Sequence, residues 1–190
     1  MKLIFLFVLA YVAGSVNFSI LVCRLSGLTD PRENGSNNPG ATNVYRQAGP
    51  FWAGMVLLLD MARAIIIALL ALYGLPVGIV PWIGLGLILG NRFPCFHGFK
   101  GGKGVANYLG FSLVLAPEWA GIGAVVWAGL FLLWKTPFIA SFGLVACLSA
   151  GIITRPDIGA SGITATLLIT ALVVAFHHRN IRELRPHQER

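Results

Sequence analysis

The chain has 190 residues, of which 56% are hydrophobic and only 11% are charged, and its mean hydropathy is +0.77. A soluble domain usually carries about 25% charged residues, so this composition excludes an ordinary soluble domain and indicates an integral membrane protein. The net charge of +7 does not indicate a nucleic-acid partner, because the basic residues are scattered in short loops between apolar segments.

Seven apolar segments follow one another along the chain, without strand-like alternation. They span residues 3–23, 51–73, 76–91, 105–116, 119–134, 137–153 and 162–178. A membrane crossing takes about 17–25 apolar residues, so the fourth segment is short and the fifth and sixth are marginal. We predict one all-α domain over residues 1–190, a polytopic bundle of seven transmembrane helices, with five crossings as the alternative. The first fifteen residues have the make-up of a signal peptide, but the apolar run resumes after them, which favours a retained helix.

The positive charges predict how the bundle is oriented. If the N-terminus lies outside, seven crossings place four regions in the cytoplasm, namely 24–50, 92–104, 135–136 and 179–190. These regions hold 11 of the 14 lysines and arginines. Because cytoplasmic loops carry the excess of basic residues, we predict an external N-terminus and a cytoplasmic C-terminus. Every glycine-rich polar loop then faces the cytoplasm, where a soluble substrate would meet it.

Two of the apolar segments contain polar residues at membrane depth. The first is interrupted by Gly14, Ser15, Asn17 and Ser19. The second carries Asp60 and Arg63, which lie three apart on one helix face and predict either a structural ion pair or a functional site. The spacing of Gly86 and Gly90 in the third segment suits close helix packing, with the ordinary frequency of glycine in membrane helices as an equal alternative.

The first polar loop reads ENGSNNPGATNVYR, residues 33–46, and its glycine, asparagine and proline content predicts a non-helical stretch. Gly35 and Gly40 allow backbone N–H groups to turn toward an anion. Neutral donors follow at Ser36, Asn37, Thr42 and Asn43. Arg46 adds a permanently charged planar fork that suits phosphate or carboxylate. We predict an anion site, with a plain surface turn as the alternative.

The second polar loop reads FHGFKGGKGVANYLG, residues 96–110. Lys100 and Lys103 lie among glycines, and a helix is predicted to begin near Val105 with Asn107 on its first turn. Exposed backbone, two ammonium groups and a helix N-terminus together favour phosphate binding. The alternative is a pair of surface lysines that contact lipid headgroups.

This loop is not a nucleotide-binding P-loop. That motif needs a glycine five residues before its second glycine and a serine or threonine after the lysine. Here the two positions hold His97 and Gly104. ATP binding by that route is therefore excluded.

A third polar cluster, FHHRNIREL, ends the last apolar segment at residues 176–184. His177 and Asn180 are three apart, which predicts that they share a helix face. A histidine at a membrane boundary that only contacts the interface is the alternative. Adjacent His177 and His178 are poorly placed to chelate a metal from a helix, and the three cysteines form no CxxC motif, so no metal or cofactor is predicted.

Four stretches in this order resemble the bacterial acyl-phosphate:glycerol-3-phosphate acyltransferases, the PlsY family. They are GSVNFS, ENGSNNPGATNVYR, FKGGKGVA and HHRNIREL, and they span nearly the whole chain. The chain departs from the family pattern at Asn91, where the family usually has histidine, and at Arg63, where it usually has lysine.

The resemblance implies an enzyme of the bacterial inner membrane with its active site facing the cytoplasm. It would transfer a fatty acyl group from acyl phosphate to the 1-hydroxyl of sn-glycerol 3-phosphate. The products would be lysophosphatidic acid and inorganic phosphate, in the first step of phospholipid synthesis. Neither acyl-CoA nor acyl carrier protein would be required, and the protein would act as a monomer in contact with membrane lipid.

Site residues are assigned from the loops and the resemblance together. The predicted catalytic residues are Ser36, Asn37, Arg46, Lys103, His177 and Asn180. The predicted substrate-binding residues are Ser15, Asn17, Gly40, Ala41, Thr42, Asn43, Lys100, Gly101, Gly102, Gly104 and Asn107. Arg46 and Lys103 would meet phosphate and developing negative charge, and the backbone N–H groups of GGKG would cradle a phosphate.

Three proton acceptors are possible for the attacking hydroxyl. The donor's own phosphate lies beside the attacked carbonyl and is favoured, because the loops supply donors and cations but few bases. His177 is the second candidate, and a covalent intermediate on Ser36 is the third. A carrier of phosphate esters would use the same residue types, but the polar clusters lie at one membrane face and no inverted repeat is present.

Overall fold

The computed structural model describes residues 1–183 of the chain. Within that range every regular element is helical, which confirms the all-α prediction. The α-helices, numbered in order, are α1 Lys2–Ser15, α2 Phe18–Leu25, α3 Ala41–Ala48, α4 Pro50–Gly74, α5 Val80–Arg92, α6 Val105–Leu115, α7 Pro117–Trp134, α8 Pro137–Ile153, α9 Gly159–Ala175 and α10 His178–Glu183. Short 3₁₀ turns cover Val77–Ile79 and Cys95–His97.

All seven apolar segments predicted from the sequence form helices. Four helical stretches are long and apolar enough to cross a membrane, namely Lys2–Leu25, Pro50–Gly74, Val77–His97 and Pro117–Trp134. Three apolar helices are shorter, namely Val105–Leu115, Pro137–Ile153 and Gly159–Ala175. The number of crossings and the orientation of the termini stay predictions. Arg185 and Arg190, which counted toward that orientation, lie outside the described residues, as does the end of the predicted 1–190 domain.

Helix α5 lies at the centre of the bundle and packs closely against α1. A Cβ atom added at Gly86 would lie 2.8 Å from the carbonyl oxygen of Phe7, and one at Gly90 would overlap the carbonyl oxygen of Tyr11. Only glycine permits the two backbones to approach this closely, so the predicted small-residue contact is confirmed. Helix α5 ends at Arg92, directly before the lysine loop.

The predicted interruption of the first apolar segment is present between α1 and α2. Asn17 caps α2, because its Oδ1 accepts hydrogen bonds from the Ile20 N–H at 3.2 Å and the Ser19 hydroxyl at 2.7 Å. The last carbonyls of α1 would be unpaired at such a break. Arg63 of α4 pairs them, since its Nη1 donates to the carbonyls of Ala13, Gly14 and Val16.

The prediction that residues 33–46 contain no helix is wrong for their second half. Helix α3 occupies Ala41–Ala48, a stretch without glycine or proline that lies between Gly40 and Gly49. One face of α3 is buried through Val44, which packs against Val22 and Val56. The breakers at 35–40 therefore end before the helix begins.

Candidate active site

The first polar loop is folded around the buried side chain of Asn43. Its Nδ2 donates to the carbonyls of Pro31 at 2.8 Å and Asn34 at 3.0 Å, while its Oδ1 accepts from the Ser36 N–H at 3.1 Å. Asn43 is 1% exposed, so its amide shapes the loop from inside. The side chains of Ser36, Asn37, Thr42 and Arg46 are exposed to solvent, as are those of Glu33, Asn34 and Tyr45 in the same loop.

Left-handed backbone turns the chain sharply before α3. Gly35 has φ of +64° and Asn37 has φ of +52°, a region that asparagine tolerates better than most residues. Gly40 and Ala41 are half-buried where α3 begins. The guanidinium of Arg46 takes part in no hydrogen bond or ion pair with residues 1–182.

The lysine loop is braced by its own glycines. The Gly101 N–H donates to the Arg92 carbonyl at 3.1 Å, and the Gly102 N–H donates to the Asn91 carbonyl at 3.0 Å. These two N–H groups are therefore already used, in contrast to the prediction that they cradle a phosphate. Gly104, with φ of +84°, turns the chain into α6, so the cradle is left to this residue and the helix N-terminus.

The two polar loops contact each other. A Cβ atom added at Gly102 would lie 2.8 Å from the carbonyl oxygen of Pro39. Nearby, the Arg32 Nη1 donates to the carbonyl oxygen of His97 at 2.9 Å. The Ser36–Arg46 segment and the lysine loop thus form one polar region, as the predicted site requires.

The third cluster reaches the same region through Lys103. The Lys103 Nζ donates to the Oδ1 of Asn180 in α10. Lys103 is half-buried, whereas Lys100 is exposed on the outside of the loop. Of the two lysines, Lys103 is the one that joins the second and third clusters.

His177 lies in the turn between α9 and α10 and is 2% exposed. The prediction that it shares a helix face with Asn180 is wrong, because α9 ends at Ala175 and α10 begins at His178. The His177 Nδ1–H donates to the Val173 carbonyl at 2.7 Å, which leaves Nε2 as the acceptor nitrogen. Burial, and then the positive charge of Lys103, lower the pKa of His177 to about 4. The imidazole is therefore neutral at pH 7.

The chain is similar to known proteins over nearly its whole length. A family model described as glycerol-3-phosphate acyltransferase matches residues 4–187. The glycerol-3-phosphate acyltransferase of Methylobacillus flagellatus is 40% identical over 178 residues, which cover 92% of this chain and 89% of the relative. That of Aquifex aeolicus is 36% identical over 187 residues, which cover 97% and 96%. The chain belongs to the glycerol-3-phosphate acyltransferase family.

Solved structures give the same answer for the fold. A crystal structure of PlsY, an integral membrane glycerol 3-phosphate acyltransferase, in its glycerol 3-phosphate form has a TM-score of 0.90 and 33% identity. Its lysophosphatidic acid form has a TM-score of 0.88 and 32% identity. Both matches cover 100% of this chain and 95% of the solved one. Membership of the glycerol-3-phosphate acyltransferase family makes the chain a membrane acyltransferase and sets aside the carrier alternative.

Three residues predicted to bind substrate in this acyltransferase are buried and hydrogen-bonded inside the bundle. Ser15 donates to the Tyr11 carbonyl at 2.9 Å, Asn17 caps α2, and the Asn107 Oδ1 accepts from Arg63 at 2.5 Å. Each is at most 2% exposed. They lie beneath the polar loops, so their contacts are with protein groups.

The sequence reading missed Arg32, which helps to join the two loops of the acyltransferase. Arg32 pairs with Asp30 at 2.6 Å, and this hydrogen-bonded pair lowers the pKa of the Asp30 carboxyl. The signal was present in the Asp30-Pro-Arg32 turn, where a carboxylate precedes an arginine by two residues. Asp60 and Arg63 form the predicted ion pair, at 2.7 Å.

Proposed function

We propose that this acyltransferase transfers a fatty acyl group from acyl phosphate to the 1-hydroxyl of sn-glycerol 3-phosphate. Lysophosphatidic acid and inorganic phosphate are the products. The observation that carries the proposal is the contact between Lys103 and Asn180, which joins the lysine loop to the last cluster. The loop that presents Ser36 and Arg46 packs against the same lysine loop at Gly102.

The chemistry of the donor fits the residues at the site. Acyl phosphate is an activated mixed anhydride, so attack by a hydroxyl on its carbonyl carbon expels phosphate without prior activation. The protein needs to position the hydroxyl and stabilise negative charge on the carbonyl oxygen and the leaving phosphate. Arg46 and Lys103 supply positive charge for both groups, and Ser36 and Asn37 supply neutral donors.

The low pKa of His177 favours substrate-assisted proton transfer. A general base is most effective when its pKa lies near the working pH, and a pKa of about 4 makes the His177 imidazole a weak base. The donor's phosphate is released beside the attacked carbonyl and is the stronger candidate acceptor. His177 then serves as a neutral hydrogen-bond acceptor that orients the glycerol, together with Asn180.

An apolar cavity beneath the polar loops supports a long-chain donor. The cavity holds about 300 Å³. It is lined by Ala13, Phe18, Leu59, Ala62, Arg63, Ile66 and Ile67. Arg63 connects its wall to Asn107, one helical turn after Lys103. An acyl chain in this cavity would place its phosphate near the lysine loop.

The membrane setting follows from the charge distribution. We place the N-terminus outside and the polar loops in the cytoplasm of a bacterial inner membrane, where glycerol 3-phosphate is soluble and available. One copy of the chain carries every proposed site residue, which supports a monomeric enzyme. Neither a metal nor a cofactor is part of the proposal.

A donor-comparison assay tests the proposed function. Purified protein in detergent is given glycerol 3-phosphate together with acyl phosphate, acyl-CoA or acyl carrier protein that carries the same chain. Lysophosphatidic acid is measured by mass spectrometry. We expect lysophosphatidic acid only in the reaction that contains acyl phosphate as the donor. Product with acyl-CoA or acyl carrier protein, and none with acyl phosphate, would overturn the proposed donor.

A further inference from the structure

Arg92, at the end of α5, is held rigidly beside the lysine loop. Its guanidinium carbon lies 5.0 Å from the ring centroid of Phe176 and 5.7 Å from that of Phe93. Its carbonyl accepts the Gly101 N–H, and its Nη1 donates a long hydrogen bond to the Gly101 carbonyl at 3.5 Å. A planar guanidinium held in this way loses little freedom when it binds a ligand.

The guanidinium of Arg92 has positive neighbours, and it takes part in no ion pair with a side chain of residues 1–182. Phe176, whose ring centroid lies 5.0 Å from the Arg92 guanidinium carbon, is three positions before Arg179 of α10, which places the two arginines in one region. His177, next to Phe176, lies near the positive charges of both Lys103 and Arg92. Among the described side chains, those of residues 1–182, the ion pairs of arginine involve Arg32, Arg63 and Arg155. Like charges held together are unfavourable until an anion joins them.

The hydrogen-bonding capacity of Arg92 is also incompletely used. Its Nε is buried and has no hydrogen-bond partner in the described part of the chain. Its Nη2 makes no hydrogen bond to the described side chains and backbone of residues 1–182, and only Nη1 contacts Gly101. Phosphate oxygens are the acceptors that a guanidinium fork binds best.

We propose that Arg92 and Arg179 form a second phosphate subsite beside Lys103, which binds the terminal phosphate group of one of the two substrates. The inference rests on the proposed function, because that reaction requires two phosphates to be bound together. Phe93 is 41% exposed beside this subsite and offers an apolar surface that suits a lipid-borne phosphate. The soluble acceptor, glycerol 3-phosphate, is the other source of the same group.

Charge-removing variants test the subsite. Arg92→Met, Arg179→Met and the double variant that carries both are each compared with Lys135→Met. This control removes a positive charge from a loop that is predicted to lie at the same membrane face. KM is measured for each substrate with the other saturating. We expect the double variant to raise one KM about tenfold and the other less than about twofold. A raised KM for acyl phosphate assigns the subsite to the donor, and one for glycerol 3-phosphate assigns it to the acceptor.

A binding measurement separates this inference from the proposed reaction. Calorimetric titration of inorganic phosphate into wild type and the double variant needs no turnover. If wild type is inactive with acyl phosphate but the double variant binds phosphate about tenfold more weakly, the subsite stands and the proposed donor fails. If both KM values and phosphate affinity are unchanged, the subsite is refuted. Should Arg92→Met fail to fold, exposed Arg179→Met alone decides by the same two measurements.

Discussion

The Nη2 of Arg63 donates to the Oδ1 of Asn107 at 2.5 Å, which joins the middle of α4 to the first turn of α6. The same nitrogen donates to Asp60 at 2.7 Å. Through Nη1 the guanidinium also pairs the carbonyls at the α1–α2 break. One buried side chain therefore links three helices directly beneath the lysine loop.

Replacement of Arg63 tests this linkage. We expect Arg63→Met to lower the free energy of unfolding by about 3–5 kcal/mol, because Asp60 and Asn107 would be left buried without a partner. Thermal unfolding in detergent measures the effect. Arg63→Lys keeps the charge and should recover part of the loss, and the double variant Arg63→Met with Asp60→Asn should be more stable than Arg63→Met. Equal melting temperatures for wild type and Arg63→Met would contradict the proposed linkage.

The two lysines of the second loop should differ strongly in their effect on activity. We expect Lys103→Met to lower kcat/KM by about 100-fold or more, because it removes positive charge from the developing negative charge and loses the contact to Asn180. Lys100→Met is the matched control, since Lys100 is exposed on the same loop, and it should lower kcat/KM less than about threefold. Steady-state kinetics with acyl phosphate measures both. A larger loss for Lys100→Met would reverse the assignment.

The contact between the first two polar loops should be sensitive to a single methyl group. Gly102→Ala would place a Cβ atom 2.8 Å from the Pro39 carbonyl oxygen, so the two loops must separate. We expect activity to fall about tenfold, because small displacements of positioned groups are costly in catalysis. Gly129→Ala is the control, since a Cβ atom on that α7 residue meets nothing within 4 Å. Full activity in Gly102→Ala would show that the loop contact is dispensable.

His177 should make the fold sensitive to acid. Its pKa is about 4 in the folded state and near 6.5 for an exposed histidine, so only the unfolded chain takes up this proton between those values. The stability that His177 contributes is therefore complete above pH 6.5 and is lost as the pH falls toward 4. We expect His177→Asn to show a flatter dependence of melting temperature on pH over that window. An identical slope in wild type and variant would contradict the low pKa.

Hydropathy and local turn chemistry predicted much of the fold, but they could not predict how side chains pair across the bundle. The seven apolar segments were found because helix-length apolar runs are a local property of the sequence. Helix α3 was missed, since the glycines and asparagines before it dominated the reading of residues 33–46. The Gly101 and Gly102 N–H groups were predicted to cradle a phosphate, but they donate to carbonyls at the end of α5. Local sequence does not reveal that contact.

Long-range pairing explains the remaining differences at the site. Asn107 was predicted to face a substrate because it follows Lys103 on the first turn of a helix. The structure pairs it with Arg63, which lies 44 positions away in the sequence. Likewise, the spacing of His177 and Asn180 predicted one continuous helix, whereas the chain turns at His177 and starts a new helix at His178.

The most direct test of the proposed reaction is the time course of phosphate release from acyl phosphate, with and without glycerol 3-phosphate. We predict that wild-type protein releases one phosphate for each lysophosphatidic acid formed, and that phosphate release without the acceptor stays at the level of Lys103→Met. A rapid burst of phosphate without glycerol 3-phosphate, together with an acyl group trapped on Ser36, would contradict direct transfer. Absence of phosphate release with both substrates present would contradict the proposed function itself.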